Sequence, residues 1–297
     1  MGEDKQIHAL KKPTTYQEQI EILRSRGLII EDENHAIEML KRVSYYRLTA
    51  YGLSLKQENS DDYLQGVSFE LIHRLYEFDS KLRVLIMAIS EQIEIAFRSQ
   101  IAYYIAHTYG ELGYRNSNNF NCVDTHSDFL LRLDKLLLEA KELFVFHHQN
   151  KYGGQFPVWV AFEVMTFGML STLYKNLKTK DKKNITRMYY KDSYFGDISS
   201  WLYSISVLRN RCAHFNRIYN KSLSIAPRIP KEAENLELGR HDLLVVIYAM
   251  KKLMTNKASW LNWVIELQAL LEAYPEVDIR LMGFKENWHE ILTSNSL

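Results

Sequence analysis

The chain has 297 residues, and 46% of them are hydrophobic while only 12 are Gly and 5 are Pro. This balance favours a core of long helices and argues against sandwiches and barrels, whose many turns need more Gly and Pro. The 37 Lys and Arg nearly cancel the 36 Asp and Glu, so the formal net charge of +1 excludes a global attraction to nucleic acid or membranes. Any RNA contact must come from a local patch.

Metal, redox and membrane functions are not indicated. Only Cys122 and Cys212 are present, far apart and without clustered histidines, so we predict a reducing compartment, no metal site and no cofactor. The longest uncharged apolar stretch in the middle of the chain, residues 164–174, is far shorter than the roughly 20 residues of a transmembrane helix. The sequence therefore predicts a cytoplasmic protein without a membrane partner.

The N-terminal region predicts a small helical headpiece followed by a linker. Thr14 or Thr15 can cap a first helix, which Gly27 stops, and Asp32 can start a second one. The polar stretch 57–66 is typical of a linker and marks a boundary before a larger domain.

A 3.6-residue periodicity of apolar side chains from Phe69 to about Tyr109 predicts one long helix. Opposite its apolar stripe, Glu91, Glu94 and Arg98 lie close to one line along the helix axis. The simplest interpretation is a Glu94–Arg98 ion pair on a solvated surface. The alternative, support for a functional cleft, needs evidence from elsewhere in the chain.

The rest of the chain predicts further helices. A Gly- and Asn-rich loop over 109–126 precedes a helix over about 128–148, and another helix spans about 159–177. Near the C-terminus, apolar periodicity predicts helices over about 242–255 and 258–273.

Basic side chains in two places are candidate contacts for an RNA backbone. The lysine-rich run 178–183 predicts a turn, and such runs are usually solvated, although a polyanion is an alternative partner. The second place is Arg217, further along the chain, which can equally form a surface salt bridge. The candidate RNA-binding residues are Lys178, Lys182, Lys183 and Arg217.

A helix predicted over about 197–219 carries unusual chemistry on its outer side. One side has a narrow apolar stripe, typical of a buried face: Trp201, Ile205, Leu208, Cys212 and Phe215. The other side and its flank carry an imidazole, an amide and guanidinium groups rather than the usual Glu, Lys and Gln of a solvated face. These residues are Tyr203, Arg209, Asn210, His214 and Arg217.

Three of these side chains suit RNA cleavage. His214 can act as a general acid or base because an imidazole exchanges protons near neutral pH. Arg209 can hold the scissile phosphate in its planar fork and stabilise developing negative charge. Asn210 can orient His214 or bind a phosphate oxygen. Because the 2′-hydroxyl of RNA can attack its own phosphate, this reaction needs neither a metal ion nor a protein nucleophile.

The run from Arg209 to His214 resembles the R-x4-6-H signature of HEPN-superfamily ribonucleases, in which a polar residue follows the arginine. A wider pattern over roughly residues 13–220 resembles the Abi-like (AbiD/AbiF) abortive-infection family of bacteria. The positions that carry this wider resemblance are Gln19, Ile20, Leu23, Arg26, Gly27, Leu28, Tyr45, Tyr46, Arg47, Leu48, Tyr51, Glu91, Glu94, Arg98, Pro157, Val158, Trp159, Glu163, Phe167, Gly168, Leu170 and Ser171. The segment after residue 220 shows no such pattern.

The resemblance implies an all-α fold, with a helical headpiece at 1–60, a HEPN-like helical bundle at 61–256 and a C-terminal helical extension at 257–297. It implies a metal-independent endoribonuclease of an abortive-infection system, toxin-like and active in phage defence. HEPN domains usually pair, so a homodimer would join two R-x4-H motifs in one cleft, supported by the charged residues of the long helix. Some family members are restrained by a small regulatory RNA, a further expected partner.

Two other functions remain open. Some HEPN domains keep the fold without cutting RNA, so the alternative is a non-catalytic RNA-binding or protein-interaction module; the intact R-x4-H motif favours the enzyme. DNA binding by the headpiece is the weaker alternative. Its second helix carries Glu38, Lys41 and Arg42 but lacks a dense basic surface.

Overall fold

The computed structural model describes residue 10 and residues 12–191 and 193–294. The two ends of the predicted headpiece and extension, residues 1–9 and 295–297, lie outside the described residues. Within the described ranges all regular secondary structure is helical, and the three β-bridges are isolated. The predicted all-α fold is therefore confirmed. None of the described helices combines the length and the apolar character needed to cross a membrane.

The chain divides into two compact units, Met1–Asp79 and Ser80–Leu297, with the boundary inside the long helix Phe69–Tyr109. That helix has the bounds predicted from its periodicity. The three-part division into 1–60, 61–256 and 257–297 stays a prediction.

Short, well-capped helices form the first unit. Its helices are α1 (Tyr16–Ser25), α2 (Glu33–Arg42), α3 (Tyr45–Thr49) and the beginning of α4 (Phe69–Tyr109). Thr15 and Glu18 form a capping box at the start of α1, and Asp32 caps α2 by accepting a hydrogen bond from the His35 N–H at 2.9 Å. Gly27 turns the chain between these two helices with a φ of +80°, which glycine adopts without strain. The predicted caps and stop signal are thus confirmed.

The second unit is built from helices that pack around a shared apolar core. Besides the remainder of α4, its helices are α5 (Val123–Glu139), α6 (Leu143–Lys151), α7 (Val158–Ala161), α8 (Phe167–Asn176), α9 (Thr179–Tyr189), α10 (Phe195–Ala213), α11 (Leu243–Leu253), α12 (Lys257–Ala273) and α13 (Trp288–Thr293). α10 packs against α8, α9 and α11. Trp201 of α10 is completely buried, and its indole N–H donates to the Arg228 carbonyl at 2.8 Å. The buried side of α10 therefore fixes the position of its exposed residues.

Two predicted helices prove to be interrupted. The helix expected over 128–148 is divided into α5 and α6, and the one expected over 159–177 is divided into α7 and α8. Thr166 starts α8 afresh, because its hydroxyl accepts a hydrogen bond from the Met169 N–H at 3.3 Å. Apolar periodicity continues through both breaks, which is why the sequence predicts single helices there.

The lysine-rich run 178–183, predicted to be a turn, instead forms the beginning of α9. Asp181 explains the helix, since an acidic residue in the first turn is favourable beside the unpaired N–H groups. This carboxylate is only 1% exposed and accepts hydrogen bonds from the hydroxyls of Tyr104 at 2.8 Å and Tyr109 at 2.9 Å. The prediction was wrong because it considered only the density of positive charge.

A buried lysine attaches the last helix to the core. Nζ of Lys251 donates to the carbonyl oxygens of Ile291 at 2.7 Å and Ser294 at 3.1 Å, at the C-terminal end of α13. Burial, with a smaller contribution from the neighbouring Lys252, lowers the pKa of Lys251 to about 8. The positive charge is favourable at a helix C-terminus, but its desolvation is not.

Candidate functional site

The C-terminal end of α10 is a Schellman motif that brings His214 to the surface. The Phe215 N–H donates to the Cys212 carbonyl at 3.0 Å, and the Asn216 N–H donates to the Arg211 carbonyl at 2.9 Å. Phe215 has a φ of +58°, so the helix cannot continue. The predicted continuation to residue 219 is therefore wrong, and Phe215, expected in the buried stripe, is 66% exposed.

The imidazole of His214 is exposed directly after α10. Its backbone N–H donates to the Asn210 carbonyl at 3.0 Å, whereas its ring forms no hydrogen bond with any described residue. The loop that follows is held in place because Nη2 of Arg211 donates to the Arg217 carbonyl at 3.1 Å. The ring is therefore accessible on a fixed backbone. Arg217 lies on this loop and not on the helix face predicted for it.

Arg209 lies near the C-terminal end of α10 and is held by two neighbours. Its Nη2 is 3.7 Å from Oε2 of Glu94, and its Nη1 donates to Oδ1 of Asn210 at 3.2 Å. The side chain remains 33% exposed. Asn210 therefore orients Arg209 and not the imidazole of His214, which was one of its two predicted partners.

Glu94 and Arg98 form the predicted ion pair, but the pair is buried and not solvated. Nη2 of Arg98 donates to Oε1 of Glu94 at 2.7 Å and to the Met165 carbonyl at 3.0 Å, and Nη1 lies 3.5 Å from Oε2 of Glu163. Glu94 is 7% exposed. Because Glu94 contacts both Arg98 and Arg209, it joins α4 to the R-x4-H end of α10.

The electrostatic balance at Glu94 is set mainly by burial. Burial raises the pKa of the Glu94 carboxyl, while the charges of Arg98 and Arg209 lower it by less, and Glu91 nearby raises it further. Glu91 itself is exposed. Of the three predicted cleft residues, Glu94 therefore contacts Arg209, Arg98 is linked to Arg209 only through Glu94, and Glu91 is exposed to solvent.

The candidate lysines lie on or before α9. Lys178 is exposed just before the helix, and Nζ of Lys183 lies 5.8 Å from the centre of the Phe195 ring. Nζ of Lys182 donates to the Lys175 carbonyl at 3.0 Å, and burial, followed by the charge of Lys175, lowers its pKa. Among the described residues no hydrogen bond or ion pair links these lysines to Arg209 or His214.

The sequence did not predict two of the groups around Arg98. Glu163 lies 65 residues away in a short 3₁₀ turn, Phe162–Val164, and Met165 contributes only its carbonyl. No periodicity pairs residues so distant, and a backbone oxygen leaves no trace in sequence. The only signal for Glu163 was its place among the positions of the family resemblance.

Together these features define an all-helical protein with an R-x4-H motif at the exposed end of a partly buried helix. The family model described as Abi-like protein matches residues 38–220, more than half of the chain. The chain belongs to the Abi-like protein family, as its sequence pattern indicated, and this membership associates it with abortive infection. The match includes the whole charged network and ends within the loop that follows α10. No curated protein and no solved structure matches the chain.

Proposed function

We propose that this protein is a metal-independent endoribonuclease of a bacterial abortive-infection system, with a HEPN-type active site at the end of α10. The observation that carries the proposal is the connection of Arg209 to the buried Glu94, five residues before an exposed His214 whose imidazole has no hydrogen-bond partner among the described residues. A guanidinium group of fixed direction and an accessible imidazole at the same end of a helix supply two groups that suit phosphodiester cleavage.

The proposed reaction is transesterification within the RNA. The 2′-hydroxyl loses its proton to a base and its oxygen attacks the adjacent phosphorus, while the bond from phosphorus to the 5′-oxygen breaks and that oxygen takes up a proton. His214 carries out one of these proton transfers, and Arg209 binds the phosphate oxygens on which negative charge develops. The products are a 2′,3′-cyclic phosphate and a 5′-hydroxyl.

Glu94 and Arg98 act as positioning residues in this proposal. A guanidinium group that is paired on one side keeps a preferred direction, which lowers the entropy lost when it binds phosphate. Asn210 contributes by accepting a hydrogen bond from Arg209. Glu91 lies at the edge of the same cleft in this proposal.

RNA binds, in this proposal, along the basic groups outside the motif. Lys178, Lys183 and Arg217 are the principal candidates for contacts to its backbone. Lys182 is a weaker candidate, because its amine already donates to a backbone carbonyl and is partly buried.

A homodimer is the proposed active form. Two large aromatic side chains near the motif, Tyr203 and Phe215, are 52% and 66% exposed, and a second copy of the chain would cover such a surface. Each protomer would then contribute Arg209, Asn210 and His214 to one twofold cleft. A small regulatory RNA that restrains the activity, and a cytoplasmic location, belong to the same proposal.

The first test is cleavage of total bacterial RNA by the purified full chain in EDTA, followed on denaturing gels. We expect His214→Ala and Arg209→Ala to lower the rate by about 100-fold or more. The exposed residues His107 and Arg132 provide matched controls, and His107→Ala and Arg132→Ala should cleave at the wild-type rate. RNA that is bound but not cut by any variant would favour the non-catalytic binding module.

A second test addresses the shared cleft. Wild-type protein is mixed with increasing proportions of His214→Ala at constant total concentration, under conditions that allow subunits to exchange. If both protomers supply each site, activity should fall with the square of the wild-type fraction. A strictly proportional decrease would show that each chain cleaves independently.

A further inference from the structure

Three potential metal ligands come together in the first unit, Met1–Asp79. His35 of α2 and Glu70 and His73 of α4 each offer one ligand atom, and these atoms lie within 4.8 Å of one another. Nε2 of His35 is 3.5 Å from Oε2 of Glu70. The rings of His35 and His73 meet edge to face, with their centres 5.7 Å apart.

The main chain fixes the two helices that carry this cluster. The Ile29 N–H donates to the Val67 carbonyl at 3.0 Å, and the Phe69 N–H donates to the Ile29 carbonyl at 2.8 Å. These bonds hold the chain before α2 beside the chain before α4. The two ligands on α4 are three residues apart, so they share one face of that helix. The cluster therefore does not depend on a chance meeting of long side chains.

One ring nitrogen of His73 lacks a partner among the described residues. His73 is only 8% exposed, and its Nδ1 is buried without a hydrogen bond to any described residue. Buried polar atoms nearly always have a partner in native proteins, so this atom requires an explanation. The other two ligands remain accessible, since the side chains of His35 and Glu70 are 42% and 58% exposed. A cavity of about 340 Å³, lined by both of them, adjoins the cluster.

We propose that His35, Glu70 and His73 bind one zinc ion. Two imidazoles and one carboxylate are a ligand set that zinc accepts, with a fourth position for water, whereas magnesium and calcium prefer oxygen ligands. Bonds of about 2.0–2.1 Å in a tetrahedral site place ligand atoms roughly 3.4 Å apart. The atoms of His35 and Glu70 already have this separation, and their exposed side chains need only turn towards His73.

Bound zinc fastens the beginning of α2 to the beginning of α4 and gives the buried His73 a partner. No short motif contains these three residues, because His35 comes from a different helix than the other two. For this reason the sequence alone predicts no metal site.

The test is a titration of the full chain with zinc chloride after removal of metal, followed by calorimetry and by thermal unfolding. We expect one zinc ion per chain and a higher unfolding temperature, and no such effect from magnesium chloride. His35→Ala and Glu70→Gln should each weaken zinc binding by at least about 10-fold. These exposed positions carry the test, because replacement of the buried His73 can disturb folding.

Exposed residues away from the cluster serve as matched controls. His147→Ala and Glu21→Gln should bind zinc as the wild type does. The proposal is overturned if zinc does not bind saturably, or if the double variant His35→Ala/Glu70→Gln binds it as tightly as the wild type. None of the three ligands belongs to the R-x4-H motif, so either proposal can fail without the other.

Discussion

Replacing Glu94 with Gln removes one negative charge from the buried network with little change in shape. The amide oxygen can still accept the hydrogen bond from Arg98, but the attraction to Arg209, 3.7 Å away, is lost. Two unit charges at that distance attract by about 1 kcal/mol in water and about 4 kcal/mol at an effective dielectric constant of 20. Arg209 is one-third exposed, so solvent screening favours the lower end, about 1–2 kcal/mol. We therefore expect Glu94→Gln to slow RNA cleavage by about 5- to 30-fold.

Protein stability should change as well, because the same carboxylate pairs with the largely buried Arg98. Since burial raises the pKa of Glu94 above its ordinary value of 4.5, the folded chain holds this proton more tightly than the unfolded chain. The free energy of unfolding therefore falls as pH rises from 4.5 through the raised pKa, and the ionised carboxylate opposes folding at neutral pH. Gln removes this unfavourable term, but it also leaves Arg98 without its closest charged partner, a loss that costs about 3–5 kcal/mol for a buried ion pair. Arg98 keeps its contacts with the Met165 carbonyl and Glu163, so we expect a loss near the lower end of that range.

The assay compares initial cleavage rates with thermal unfolding of the same preparations. Glu163→Gln is the matched control, because that carboxylate lies 3.5 Å from Arg98, is 54% exposed and has no contact with Arg209. The Glu163→Gln protein should cleave RNA at a rate within about twofold of the wild-type rate. The positioning role of Glu94 would be refuted if a folded Glu94→Gln protein cleaved RNA at the wild-type rate. It would also be refuted if Glu94→Gln and Glu163→Gln lost the same fraction of the cleavage rate.

Three further predictions concern stability. Phe215→Gly removes the steric strain of a side chain in the left-handed conformation at the end of α10, so it should raise the free energy of unfolding by about 1 kcal/mol in urea titrations. An unchanged free energy of unfolding would show that Phe215 is not strained. Lys251 has a pKa of about 8 in the folded chain and about 10.4 in the unfolded chain. At a pH between these two pKa values the unfolded chain therefore binds more protons than the folded chain. The free energy of unfolding should thus rise by roughly 2 kcal/mol between about pH 7.5 and pH 9.5, and equal slopes in wild type and Lys251→Met would argue against this. Tyr104→Phe removes one of two tyrosine partners of the buried Asp181 and should lower the free energy of unfolding by about 1.5–3 kcal/mol, with the exposed Tyr103→Phe as its neutral control.

Local signals predicted the helical fold well. The capping residues Thr15 and Asp32 and the stop at Gly27 act within one turn of their helices, so the sequence displays them directly. The bounds of α4 followed from its apolar periodicity, because this helix has no internal interruption. By contrast, the end of α10 depends on the left-handed Phe215, and a phenylalanine carries none of the local signal that a glycine would.

The candidate site was only partly predictable, for a different reason. The motif from Arg209 to His214 is contiguous, so its residues were identified together. The network behind it joins Glu94 and Arg98 of one helix to Arg209 of another and to the Met165 carbonyl. Such pairings arise from tertiary packing, and the burial that distinguishes Glu94 from an ordinary solvated glutamate appears only in the folded chain.

The most direct test of the ribonuclease proposal is identification of the chemical ends of RNA cut by the purified protein in EDTA. The wild type should leave 2′,3′-cyclic phosphate and 5′-hydroxyl ends, because the 2′-hydroxyl is the nucleophile, and His214→Ala should leave almost none. Products with 3′-hydroxyl and 5′-phosphate ends, or cyclic-phosphate ends produced equally fast by His214→Ala, would contradict it.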